Sequence, residues 1–323
     1  MEKLNSAPVE IVSDDIDENE ILIEKSNLAK QIESFDIHNL TPENIELMNH
    51  AIQDIFHEHF PVDSELIDKI PTHMKIVDGE EFVRLRQETK EDADMDLGFY
   101  STQLDQMLIN ASKHNTSGGL FSTMFHESLH FVSIQSGAGL TGDFSYPDIG
   151  EEETEELRGE LDDGVRTMVE GTTQNITQAY ILDYLGFNPQ PEMFGYESET
   201  QITSAIWEGF SRDDRLKIYF NTPLELLRVR FEDTFAKNYD VDRPTGEFAN
   251  CLVDVSRAKK QMESALDSWR KDGDPDPVEE VLSHVRHAVG FFIIQDAKVN
   301  GKELSEEDID DLRDYVEPYL AKE

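Results

Sequence analysis

A run of residues from Leu120 to Gln135 without a single lysine or arginine constrains this chain more than any other feature. Apolar residues fill most of the run and leave only a narrow polar lane, whereas a surface helix normally shows a charged face. The run therefore predicts a buried helix, expected over about residues 118–136. Buried polar groups need partners, and the lane contains His126, Glu127 and His130.

The spacing of the two histidines indicates that metal binding explains the buried polar residues. Residues four apart lie on one face of a helix, so the imidazoles of His126 and His130 can bind one zinc ion. Glu127 lies beside the position that a catalytic zinc leaves open, where its carboxylate can take a proton from water. Two histidines that are satisfied within the core, with no metal, are the alternative interpretation.

A catalytic zinc needs a third protein ligand, and Glu170 is the best candidate. It lies in a stretch predicted as a helix over about residues 155–184, among apolar neighbours. Gly171 leaves room there for the close approach of another helix, and Thr173 or Thr177 is expected to hydrogen-bond to a ligand. The alternatives for the third ligand are Asp162, Asp163 and His114. The two aspartates are more simply explained as acids near a helix start.

Together these residues resemble the zincin metallopeptidases, and within them the gluzincins, whose third zinc ligand is a glutamate on a second helix. Residues 170–177 are similar to the Glu-Gly-x-Thr-x-x-Leu-Thr pattern of compact bacterial gluzincins, with Ile176 in place of Leu. The segments Tyr196–Glu199 and Arg215–Phe220 resemble the Tyr-x-x-Glu and Ala-Tyr-Phe segments that follow in those proteins. The resemblance spans about residues 75–240. The chain departs from the Asn-Glu-x-x-Ser-Asp motif of thermolysin-type enzymes, so their other catalytic residues do not carry over.

The resemblance implies a zinc-dependent metallopeptidase. One zinc ion per chain is expected on His126, His130 and Glu170, with Glu127 as the general base in peptide-bond hydrolysis. Tyr196 is the candidate donor to the oxyanion of the reaction, and a packing tyrosine at a helix start is the alternative. Two other functions stay open, namely a zincin-fold binding or regulatory module without turnover and a zinc hydrolase of a non-peptide amide.

The predicted fold class is α+β and mostly helical, with a zincin-like small sheet packed on the motif helix and additional C-terminal helices. Strands are expected at Met74–Val77 and Phe82–Leu85, followed by a β-hairpin over Leu97–Ile109 whose edge could receive a substrate strand. Helices are predicted at about residues 41–60, 118–136, 155–184, 199–210, 223–237, 247–270, 277–297 and 305–320.

Composition divides the chain into three parts. Residues 1–25 are polar and acidic and are predicted to be a disordered leader, residues 26–245 the zincin-like catalytic domain, and residues 246–323 a C-terminal helical segment. We find no apolar segment typical of a secretion signal and no apolar run long enough to cross a membrane. Cys251 is the single cysteine, so no disulfide can form within the chain. These features predict a cytoplasmic protein.

The net charge of the chain indicates which kinds of partner to expect. The chain has 69 acidic and 28 basic residues and a net charge of −41. Such a surface repels phosphate backbones and anionic lipids, so neither nucleic acid nor a membrane is expected as a partner. We expect a peptide or protein substrate with basic residues near the scissile bond, because the acidic stretch 151–163 lies between the two ligand helices. The alternative is a solvated helix face that serves solubility alone. The oligomeric state is not indicated.

Overall fold

The computed structural model describes residues 18–89, 97–136, 155–207, 216, 219–220, 245–273, 276–278 and 281. The helices are α1 (Glu18–Glu33), α2 (Pro42–His59), α3 (Ser64–Ile67), α4 (Ile70–His73), α5 (Gly79–Thr89), α6 (Ser117–Gln135), α7 (Glu155–Gln178), α8 (Glu197–Trp207) and α9 (Thr245–Asp272). The strands are β1 (Met74–Val77), β2 (Gly98–Ser101) and β3 (Gln106–Asn110). A π-helical turn, Ala179–Tyr184, continues α7. The protein is therefore mostly helical with a small mixed sheet, which confirms the predicted α+β class.

The three strands form one sheet in the order β1-β3-β2. Strand β1 runs parallel to β3, whereas β2 runs antiparallel to it and pairs Tyr100 with Met107. The turn between β2 and β3 contains Asp105 with a φ of 51°, in the left-handed region that aspartate tolerates better than most residues. The predicted strand at β1 and the predicted hairpin are both confirmed, and β2 is an edge strand of this sheet.

The second predicted strand is wrong, because Phe82 and Leu85 belong to helix α5. These two residues and Thr89 are the buried positions of α5, and their spacing places them on one helical face. The Asp78 carboxylate begins the helix by accepting a hydrogen bond from the backbone N–H of Glu81 at 2.9 Å. A short apolar run fits a strand and a helix equally well, and only its flanking residues separate the two.

Helix α1 covers the predicted boundary of the disordered leader. It begins at Glu18, so the boundary at residue 25 falls inside the helix. Its second half is part of the core, where Ala29 and Ile32 are fully buried. Burial of these apolar side chains stabilises the part of the helix that follows the predicted leader. Residues 1–17 lie outside the described residues.

Helix α6 is the centre of the core and confirms the predicted buried helix. Every residue from Ser117 to Ser133 is buried. Helices α1, α2 and α7 and strands β2 and β3 pack around it. Thr116 caps its first turn by accepting a hydrogen bond from the N–H of Gly119 at 3.0 Å. A motif on this helix is therefore held rigidly and away from bulk water.

Helices α7 and α8 approach so closely that a glycine is required between them. A Cβ atom on Gly171 of α7 would lie 2.4 Å from the backbone oxygen of Glu199 in α8. No side chain fits at that distance, which confirms the predicted close approach of a second helix at Gly171. Helix α9 packs across both helices, where Met262 and Leu266 share a small apolar cluster with Ile202.

Two acids near the start of α7, Glu160 and Asp163, face α9, whereas Asp162 is exposed, so the predicted solvated face is solvated only in part. Glu160 pairs with Arg257 at 3.0 Å, and Asp163 pairs with Lys259 at 2.9 Å. The basic residues of α9 neutralise part of this acidic stretch because the two helices pack side by side. Residues 151–154, which include three glutamates, lie outside the described residues.

Several predictions fall on other parts of the chain. The predicted helices at 223–237 and 305–320, and most of 277–297, lie outside the described residues. The division into residues 26–245 and 246–323 stays a prediction, although α9 begins at Thr245, beside that boundary. Across the ranges that the structure describes, no helix has both the length and the apolar character needed to cross a membrane.

Candidate metal centre

His126, His130 and Glu170 meet in the interior, between α6 and α7. The Nε2 atoms of the two histidines are 3.1 Å apart. The Oε2 atom of Glu170 is 3.4 Å from Nε2 of His126 and 3.3 Å from Nε2 of His130. All three side chains are buried. The structure thus brings Glu170 to the two histidines although it follows them by 40 residues or more, and this group could hold a metal ion.

The spacing of the three donor atoms fits a tetrahedral ion. Bonds of about 2.0–2.1 Å at tetrahedral angles place neighbouring ligand atoms about 3.3–3.4 Å apart. The separations in this protein are 3.1, 3.3 and 3.4 Å. Two imidazoles and one carboxylate also form a donor set that borderline divalent cations such as zinc accept. The residues present therefore fit a bound metal in both geometry and chemistry.

Gln174, one turn after Glu170 on α7, fixes the tautomer of His126. Its Nε2 donates to the backbone oxygen of Met193 at 2.7 Å, so its amide oxygen faces Nδ1 of His126 at 3.1 Å. An amide oxygen only accepts, and Nδ1 of His126 must therefore carry the proton. The lone pair of His126 is then on Nε2, toward the other two ligands. Metal-binding histidines are usually oriented in this way by a second hydrogen bond.

The two threonines predicted to support the ligands have other partners. Thr173 donates to the backbone oxygen of Val169 at 2.8 Å and accepts from the hydroxyl of Tyr219 at 2.7 Å. Thr177 donates to the backbone oxygen of Thr173 at 2.9 Å. The supporting residue is instead Gln174, which the sequence analysis missed. Its position one turn after Glu170, on the same helical face, was the available signal.

The charges at the centre stabilise one another. Burial alone would raise the pKa of Glu170, but the histidines beside it, His130 first, hold that pKa well below its usual range. Burial alone would lower the pKa of His130, but the Glu170 carboxylate outweighs it and raises that pKa. A buried carboxylate that stays ionised requires a cation nearby. A protonated imidazole or a metal ion can supply that cation.

Glu127 lies on α6 between the two histidines and next to the sheet. Its carboxylate is buried and accepts a hydrogen bond from the backbone N–H of Tyr100 in β2. Burial raises the pKa of Glu127, the two histidines offset part of that effect, and Glu170 adds to it. A carboxylate with a raised pKa accepts protons better near neutral pH than an exposed one. The environment of Glu127 therefore suits a general base.

A cavity of about 330 Å³ opens onto the site. Its wall is formed by the start of β2, by α6 and α7, and by the segment that leads into α8. His126 and Glu127 lie on this wall, so a ligand in the cavity reaches both residues. The volume is at the small end of the range for small-molecule pockets, about 300–1,000 Å³.

Tyr196 both starts a helix and lines the cavity. Its backbone oxygen accepts from the N–H of Thr200 at 2.7 Å, while its ring stacks on His126 with centroids 5.8 Å apart. Its φ of 57° is rare for a bulky residue, and such backbones concentrate at functional sites. Burial and the carboxylates of Glu170 and Glu127 raise the pKa of Tyr196. Its hydroxyl therefore keeps its proton and remains a hydrogen-bond donor.

The rival ligands do not join the centre. Asp163 binds Lys259 and the hydroxyl of Ser256, at 2.9 and 2.8 Å, and Asp162 is exposed. His114 is buried, and neither of its ring nitrogens has a hydrogen-bond partner among the described residues. Burial lowers the pKa of His114 to about 4, against a weaker opposing effect of Glu192. His114 is therefore a neutral core histidine at physiological pH.

Comparison with known proteins gives no match for this chain. A scan against protein-family models, a search of curated proteins and a search of solved structures each found none. The resemblance to gluzincins stays a prediction from the motifs.

Proposed function

We propose that this protein is a zinc metallopeptidase of the zincin type, with zinc bound by His126, His130 and Glu170. The observation that carries the proposal is the convergence of three donor atoms within 3.4 Å of one another. Glu127 lies beside them on the wall of the same cavity. If these residues served only to support the core, a buried carboxylic acid such as Glu127 would not be needed next to an open cavity.

Each residue of the centre has a separate task. Zinc, when bound, supplies a Lewis acid that makes a water molecule more acidic. Gln174 keeps the Nε2 lone pair of His126 directed at the ion. Glu170 supplies a carboxylate that remains ionised because its pKa is lowered. Glu127 accepts the proton of the attacking water and passes it to the leaving amine. The backbone N–H of Tyr100 favours the ionised form of the Glu127 carboxylate by lowering its pKa.

Tyr196 is the residue that we propose as donor to the oxyanion. The carboxylates of Glu170 and Glu127 raise the pKa values of two described tyrosines, Tyr196 and Tyr219. The hydroxyl of Tyr219 is committed to Thr173 at 2.7 Å. Tyr196 lines the cavity instead and stacks on a ligand histidine. Its proton is therefore the one available to a substrate oxygen.

The test uses a complex mixture of peptides, with cleavage products identified by mass spectrometry. Zinc-loaded wild-type protein is compared with the same protein after chelation and with Glu127→Gln. We expect cleavage by the wild type and a fall of about 10²–10⁴-fold in Glu127→Gln, because a general base contributes a factor of that size. The zinc content of Glu127→Gln should equal that of the wild type, because Glu127 is not a ligand.

The outcomes separate the proposed function from its competitors. Cleavage that Glu127→Gln leaves unchanged would overturn the proposed mechanism. Zinc binding without cleavage of any peptide would favour a binding or regulatory module. Hydrolysis of small amides in a parallel screen, with all peptides intact, would favour a hydrolase of non-peptide amides.

A further inference from the structure

Arg166 stands out among the side chains on the wall of the cavity. Among the described residues that line it, Arg166 is the only lysine or arginine. It lies on α7 one turn before Glu170, and residues at this spacing share a helical face. Its charge acts on the hydroxyl of Tyr196 and partly offsets the raised pKa of that group. Arg166 therefore adds a positive charge on the Tyr196 side of the cavity.

Three described acids near Arg166 have other partners. Asp163, about one turn earlier on α7, pairs with Lys259 of α9 at 2.9 Å. Glu192, also on the cavity wall, accepts from the N–H of Asn115 at 3.0 Å and from Thr116. Glu127 accepts from the N–H of Tyr100. Within the ranges that the structure describes, no ion pair forms on the exposed Arg166 side chain.

We infer that Arg166 binds a carboxylate of the substrate, either the side chain of an aspartate or glutamate or a free C-terminus. The inference rests on the proposed peptidase function and names a substrate class for it. A guanidinium presents a planar fork of donors that matches a carboxylate with two parallel hydrogen bonds. Because no acid among the described residues forms an ion pair with Arg166, its guanidinium is available for such a ligand.

The inferred specificity is opposite to the basic preference that composition predicts. The net charge of −41 acts through the long-range field, which salt screens over about 10 Å. Arg166 acts at contact distance inside the cavity and is not screened to the same extent. Overall charge therefore influences how fast a substrate arrives, whereas Arg166 selects which group is held beside the metal centre.

The test measures binding rather than turnover, in zinc-loaded Glu127→Gln protein. The first pair of probes is acetyl-tetraalanine with a free C-terminus and its C-terminal amide. In the second pair, the acidic member is the amide peptide with one alanine replaced by glutamate, at each position in turn. Its matched member has glutamine at the same position. We expect the acidic member of at least one pair to bind about 10-fold tighter by calorimetry, as a charge-assisted hydrogen bond predicts. Adding Arg166→Gln should abolish that difference, and Arg166→Lys should keep part of it.

The two probe pairs distinguish the source of the carboxylate. A preference confined to the first pair assigns Arg166 to the C-terminus, and one confined to the second pair assigns it to an acidic side chain. No preference in either pair, or a preference that survives Arg166→Gln, overturns the assignment. Zinc content is measured on the same samples. Zinc-loaded protein without a charge preference overturns the Arg166 assignment alone, whereas protein that binds no zinc overturns the proposed function as well.

Discussion

The position of one proton organises the candidate metal centre. Nδ1 of His126 donates to Gln174, whose amide is oriented by the backbone oxygen of Met193. This arrangement leaves the lone pair of His126 on Nε2, which faces Nε2 of His130 at 3.1 Å. A metal ion, or a proton on Nε2 of His130, can bridge the two nitrogens at that distance. The hydrogen bond from His126 to Gln174 therefore prepares the centre for a metal ion.

Replacing Gln174 should weaken metal binding without removing a ligand. We expect Gln174→Leu to lower the affinity for zinc by about 10–100-fold, because the imidazole of His126 loses the group that fixes its tautomer. Competition against a chromophoric chelator measures the change. Gln178→Leu is the matched control, because Gln178 donates to the same Met193 oxygen at 3.3 Å without contacting a ligand. Equal affinities for the two variants would contradict the role of Gln174.

The histidines and Glu170 could be predicted from sequence, but Gln174 was not. The spacing of His126 and His130 and the apolar surroundings of Glu170 are local properties that a sequence displays directly. The role of Gln174 depends on which end of its amide faces the histidine. Met193 decides that orientation through a segment that folds back toward α7. Such a contact follows from tertiary packing and leaves no local pattern.

At the scale of the secondary-structure elements, the contact between α7 and α8 positions both sides of the site. Gly171 allows α8 to lie against α7 directly beside the candidate ligand Glu170. Tyr196 immediately precedes α8, and the hydroxyl of Thr200 in the first turn of that helix donates to its backbone oxygen at 2.6 Å. The distance between Glu170 and Tyr196, the proposed oxyanion donor, is therefore set by one helix–helix contact.

A methyl group at Gly171 should separate the two helices. We expect Gly171→Ala to lower the free energy of unfolding by about 1–3 kcal/mol, because the added Cβ would lie 2.4 Å from the backbone oxygen of Glu199. Gly159→Ala, also in α7 and with no atom within 4 Å of the added Cβ, should instead stabilise by up to about 1 kcal/mol. Chemical denaturation compares them. A stabilising effect of both substitutions would contradict the close contact.

The elements differ in how well sequence predicts them. Helix α6 was predicted because its apolar surface and the absence of lysine and arginine extend over several turns. The hairpin was predicted because two apolar runs flank a polar turn. Helix α5 was mistaken for a strand because its apolar run, Phe82 to Leu85, covers barely one helical turn. Asp78, which caps the helix by accepting a hydrogen bond from the N–H of Glu81, was the stronger sequence signal for a helix.

At the scale of the whole molecule, the acidic charge is partly neutralised where α9 packs on α7 and α8. Lys259 bridges Asp163 of α7 at 2.9 Å and Glu199 of α8 at 3.2 Å. Its side chain is 14% exposed, so these pairs are shielded from solvent. The net charge alone cannot show this arrangement, because it depends on which basic residues meet which acids after folding.

Loss of the Lys259 charge should destabilise the protein far more than loss of its neighbour. We expect Lys259→Gln to lower the free energy of unfolding by about 2–4 kcal/mol, because two shielded carboxylates lose their cation. Lys260→Gln should change it by less than about 0.5 kcal/mol, because Lys260 is 59% exposed and lies 3.8 Å from its partner Glu160. Thermal and chemical denaturation measure both. Similar effects of the two substitutions would contradict the bridging role of Lys259.

The metal content of the purified protein tests the candidate centre most directly. Mass spectrometry of the elements is applied to the wild type and to Glu170→Ala, each reconstituted with zinc and dialysed. We expect about one zinc ion per wild-type chain, and a sharply lower content in Glu170→Ala because it loses one of the three protein ligands. Wild-type protein that holds no zinc after reconstitution would contradict the metal centre. It would mean that His126 and His130 serve the core alone.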